Sequence, residues 1–171
     1  MIAFFGLNLC VGPVLAVGLV QRTHLAGWGS AALGWFQACS GICAAAGAVT
    51  AMRWKPHRPA RAGLLVLIAQ AAGCVMVGSV PRPVVFVAMG MIGFTAGLAS
   101  ALLSGAFQQT IEPAYLGRTS SIVSLSDEAL MPVAMTAFGA LISLTSVSVA
   151  CALLGTTFAA LMVWSASRLR G

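Results

Sequence analysis

Six apolar stretches separated by short charged gaps constrain this chain more than any other feature. They cover roughly residues 1–20, 28–52, 63–80, 84–111, 120–144 and 147–167, and all 9 lysines and arginines fall outside them. A helix needs roughly 20 apolar residues to cross a hydrocarbon core about 30 Å thick, which is the length of these runs. A membrane-spanning strand alternates apolar and polar residues at period two, whereas these runs are apolar on every side. Charged residues make up only 7% of the chain and apolar residues 60%. An average soluble domain carries about 25% charged residues, so this chain could not cover its own surface in water. The expectation is an all-α integral membrane protein, with residues 1–171 forming a single bundle of six transmembrane helices.

The net charge of +6 is distributed by side. If the gaps alternate between two faces of a membrane, one face receives Arg53, Lys55, Arg58, Arg61, Arg118, Arg168 and Arg170. The other receives only Arg22 and Arg82. Such a lysine and arginine bias marks cytoplasmic loops, so both termini are expected in the cytoplasm of a multi-pass protein of the plasma (cytoplasmic, inner) membrane. The same cations lack the interleaved aromatics and motifs of a nucleic-acid surface, so the lipid bilayer and not a nucleic acid is the expected partner. No basic region precedes the first apolar run, which argues against a secretory signal peptide.

The inventory of reactive groups leaves little room for catalysis. The two histidines, His24 and His57, fall in gaps on opposite sides, which excludes an HExxH zinc site. No apolar run holds a histidine that could activate a serine, and Asp127 is the only aspartate, so an aspartyl dyad is also excluded. No GxxxxGK[ST] phosphate loop is present. The 5 cysteines all lie inside apolar runs, where a thiol behaves as a small hydrophobe. The chain is expected to be no enzyme and to hold no metal or cofactor.

Two stretches concern packing and a polar path. In the fourth run Gly93, Gly97, Ala101 and Gly105 recur every four residues, a small-residue stripe against which another helix can lie closely. It serves either a helix of the same chain or a second copy. Pro13, after Gly12, and Pro132 each remove a backbone donor and crowd the carbonyl four residues earlier, so each is expected to bend its helix. The fifth run carries Asp127 and Glu128, the only acids deep in any run. An acid near the bilayer centre costs about 2.5–3.5 kcal/mol on insertion scales, so such a group faces a cavity or a partner. Ser120, Ser124, Asp127 and Met131 share one helical face, and Ser121, Ser124 and Glu128 another. Two readings are open: a proton or substrate path through the acids, or acids that merely reach the cytoplasmic headgroups.

Three stretches carry a family resemblance. The segment NLCVGPVLAVGLV, from Asn8 to Val20, places an asparagine ahead of a Gly-Pro kink. Gly47 is followed by the basic loop RWKPHRPARA, from Arg53 to Ala62. The stretch from Gln108 to Ile142 contains Pro113, Gly117-Arg118, Ser121, Pro132 and Gly139 in series. In order and spacing these resemble the C-terminal six-helix half of a major facilitator superfamily transporter, in the branch of bacterial drug and siderophore efflux proteins. The resemblance implies two six-helix bundles that rock about a central path, and a proton-coupled antiporter exporting a small-molecule substrate. It implies that the first, second, fourth and fifth helices line that path, through Asn8, Gln37, Gln108 with Gln109, and Asp127 with Glu128. It further implies that this chain works with an N-terminal half or as a homodimer. The alternative is a small membrane protein or truncated fragment that binds or scaffolds a partner and transports nothing.

Overall fold

The gaps between apolar runs become helix ends through identifiable local chemistry. The computed structural model describes residues 10–54, 56, 59–79, 81–110 and 116–168, with the backbone alone at several positions, among them Gln108, Arg118 and Asp127. Asn8, Lys55, Arg58 and Arg170 lie outside the described residues. Every described element is helical. A π-helical stretch, Val14–Gly18, runs directly into α1 (Leu19–Leu25), followed by α2 (Gly29–Arg53), α3 (Pro59–Ser79), α4 (Arg82–Thr110), α5 (Leu116–Leu144) and α6 (Val147–Arg168).

Pro13 immediately precedes the π-helical stretch. Without an N–H it cannot close the turn onto residue 9, and a widened turn is a common local answer to such a break. The α1 helix ends where Gly27 takes a φ of 64°. Its N–H donates to the His24 carbonyl (3.1 Å) and that of Trp28 to the Thr23 carbonyl (3.1 Å), a left-handed cap that only glycine makes without strain. Pro59 opens α3, where a missing N–H costs nothing. The chain turns at Thr145 and Ser146, and the Ser146 Oγ accepts the Val149 N–H at 3.3 Å to cap α6.

Four helical segments are long and apolar enough to cross a membrane: Gly29–Arg53, Arg61–Gly78, Arg82–Ala106 and Val147–Ser165. A shorter apolar stretch, Glu128–Leu144, lies in α5. The described residues thus form an all-helical protein with four clear candidate spans.

Close packing follows the glycines. The α2 and α4 helices lie side by side and parallel, and a Cβ added to Gly93 or Gly97 would overlap the carbonyl oxygen of Ser40 or Ala44. From the other side, a Cβ on Gly47 would overlap the carbonyl oxygen of Phe94. Ala101 joins a small cluster with Ala51, Leu98 and Leu102, while Gly105 meets nothing within 4 Å. The stripe therefore serves a helix of the same chain, through its first three members.

The α3 helix is the centre of the bundle, antiparallel to both α4 and α6. Gly73 meets Ile92, Gly63 meets Leu103, and Gly78 meets Cys151 and Ser148. The Ser148 hydroxyl donates to the Gly78 carbonyl across the α3–α6 seam. On α6 Leu153, Val163 and Trp164 are exposed, while Phe158 and Met162 are fully buried in the core.

The helix pairing has an internal regularity. The α2 helix packs on α4, α3 on α4 and α3 on α6, while the π-helical stretch touches α5 and α6. Exchanging the first three helical runs with the last three carries α2–α4 onto α5 and the first run, and α3–α4 onto α6 and the first run. The α3–α6 pair maps onto itself.

Sidedness can be checked at two loop positions described on opposite ends of α3. In a variant lacking native thiols, Pro81→Cys is expected to react with an impermeant maleimide added to intact cells, and Pro56→Cys only after lysis. Labelling of Pro56→Cys from outside would reverse the assigned orientation.

Candidate translocation face

Among the described residues, α5 packs less on its neighbours than the other long helices do. In its second half the Met131 methyl lies over Gly12, and Phe138, only 2% exposed, closes against Gly18. In its first half the described side chains of Ser120, Ser121, Ser124, Leu125 and Glu128 are all exposed. The Ser120 and Ser121 hydroxyls donate to the Gly117 carbonyl at 3.0 and 2.9 Å, so their donors are spent on backbone and their oxygens remain available as acceptors.

Pro132 stands inside α5 and is exposed. Because it has no N–H, the Glu128 carbonyl lacks its helical donor, and a polar backbone atom coincides with the acids. The Thr136 hydroxyl bonds the Pro132 carbonyl at 2.8 Å, which supports the helix just beyond the break. In helical register Asp127 lies one turn after Ser124 and one turn before Met131, on the side that turns toward the first run further along. Glu128 lies on the adjoining side with Ser121.

The other positions expected on the path fall on separate elements. Gln37 is exposed on α2, and Gly34 and Gly41 beside it have nothing within 4 Å. Gln109 is exposed near the end of α4, and Gln108 precedes it. Gln37 and the acids stand on different helices, α2 and α5. Of the cations expected on the cytoplasmic side, Arg53 is exposed and Arg61 half-buried. What the structure does bring together is the pair of proline breaks. Met131, next to Pro132, touches Gly12, next to Pro13, and Pro13 is fully buried.

Sequence reasoning missed this junction, although glycine before one proline and a flexible thioether before the other were visible in it. It also assigned no role to Gln70 and Thr95, which are buried (0% and 7% exposed) on α3 and α4. A further concavity, an open cleft of about 410 Å³, lies at the α1–α2 corner and is lined by Val20, Thr23, His24, Gly27, Gly29, Ser30 and Leu33. Among the described residues no group of three or more His, Cys, Asp or Glu is placed to hold a metal. No protein-family model matches the chain, and no curated protein or solved structure matches it either.

Proposed function

We propose that this chain is the six-helix half of a secondary active transporter of the major facilitator type, which exports a small molecule in exchange for protons. The observation that carries the reading is the exposure of the described side chains in the first half of α5. On the helix that bears the acids, Ser120, Ser121, Ser124, Leu125 and Glu128 all stand open. A bundle that buried its acids against its own core would form a closed scaffold. One that leaves Glu128 exposed on α5 and Gln37 exposed on α2 presents polar groups for one wall of a path. The pairing pattern adds support, since two three-helix units related by exchange are the build of such halves. The opposite wall is then supplied by a second six-helix bundle, either a separate N-terminal half or another copy of this chain.

The reading requires water at the acid face within the membrane. In a thiol-free background expressed in its native membrane, Ser124→Cys is expected to react with a small hydrophilic thiosulfonate much faster than Val133→Cys, which is also exposed but further along the helix. Protection of Ser124→Cys by a transported compound would mark the path itself. Equal, slow labelling at both positions would place that face in lipid and remove the argument for transport.

A further inference from the structure

The least satisfied group among the described residues is not on the open face but in the core. Gln70 is fully buried on α3, and neither its Oε1 nor its Nε2 has a hydrogen-bond partner among the described residues. A carboxamide taken from water without replacement bonds costs a few kcal/mol, on the order of 1–3 by mutational measures. A hydrocarbon-embedded bundle offers no bulk water to relieve it.

The register of the α3–α4 seam shows what lies opposite. Gly63 meets Leu103 and Gly73 meets Ile92, so the antiparallel pairing brings Gln70 level with Thr95. Gln70 follows Gly63 by two turns and precedes Gly73 by three residues, so all three share the α4-facing side of α3. Thr95 follows Ile92 by three residues and lies nearly opposite Gly93 and Gly97, which face α2, so it belongs to the α3-facing side of α4. It is the other buried polar residue of this seam. Its hydroxyl hydrogen is directed to its own helix, with Met91 and Ile92 carbonyls at 2.7 and 3.1 Å, so toward α3 it can only accept. Ala99, one turn further on, is a small neighbour at this level.

We infer that the α3–α4 seam binds ordered water between Gln70 and Thr95. Such a water accepts from the Gln70 Nε2 and donates to the Thr95 Oγ1, joining two buried polar groups that no direct bond connects. The site is separate from the acid face and would be occupied whether or not the chain transports.

Two measurements test it on the full chain in lipid. With glutamine side chains labelled with ¹⁵N, solid-state magnetisation transfer from water is expected at a buried carboxamide signal that disappears in Gln70→Leu and weakens in Thr95→Val. Absence of any water transfer to the signal lost in Gln70→Leu would overturn the proposal. In thermal unfolding, Thr95→Val is expected to lower the midpoint by about 2–4 °C, the shift that corresponds to a loss near 1 kcal/mol in a chain of this size. Gln70→Leu/Thr95→Val is expected to restore it, because both polar groups are then gone. Strictly additive effects of the two substitutions would show that they share no water, and would equally overturn it.

Discussion

Gly97→Leu is expected to prevent the chain from accumulating as a stable, monodisperse bundle in detergent, while Gly105→Leu leaves it nearly unchanged. The two glycines lie two turns apart on the same helix and differ only in what a side chain would meet. At Gly97 the obstacle is the Ala44 backbone, with its carbonyl carbon 2.8 Å from an added Cβ, whereas at Gly105 there is open space. Overpacking a core costs about 1–3 kcal/mol where neighbouring side chains can shift. A backbone cannot shift without moving the whole of α2, so the loss at Gly97 should lie at or above the top of that range. Lipid supplies no hydrophobic drive to hold the helices together once their contact is lost. Size-exclusion profiles and thermal unfolding of the two variants would decide it, and similar behaviour in both would show that the seam is not the source of stability.

Asp127→Asn is expected to reduce proton-driven export to background in the complete transporter without altering folding. The change keeps shape and removes the exchangeable proton, so an effect on export with normal expression isolates the coupling step. Glu128→Gln is expected to act more weakly, since adjacent residues point about 100° apart on a helix and only one can follow the Ser124–Met131 line. Substrate-loaded vesicles with an imposed proton gradient would report both. If Asp127→Asn exports at the wild-type rate, Asp127 is a headgroup residue and the coupling proton is carried elsewhere.

How far the sequence reached can be judged from particular elements. The ends of α2, α4 and α6 were legible within about two residues, because cations and prolines leave hydrocarbon abruptly. The start of α3 was not, since Pro59 breaks a helix or begins one depending on which side the chain continues. The start of α5 was set late for a related reason. Its first turns are polar, and hydropathy sees a loop where the backbone is already helical. The Gly93–Gly97 contact could be foreseen as close packing, but not its partner, because periodicity identifies a face and says nothing of what lies against it. Gln70 could be seen only as an oddity. Whether a glutamine in an apolar run meets lipid, a cavity or a core depends on the arrangement of all the helices, and no local pattern encodes that.

The unequal joining of the two related helix pairs has a mechanical consequence. Where α2 meets α4, backbone rests on backbone along three glycines, and such a contact is stiff because nothing in it can rotate or compress. Where α5 meets the first run, the contact at Gly12 is the tip of a methionine, an unbranched side chain with several soft torsions, set between two proline breaks. One side of the molecule therefore behaves as a rail and the other as a sprung arm. A force applied to the bundle would be taken up as bending of α5 long before it displaced α2 from α4.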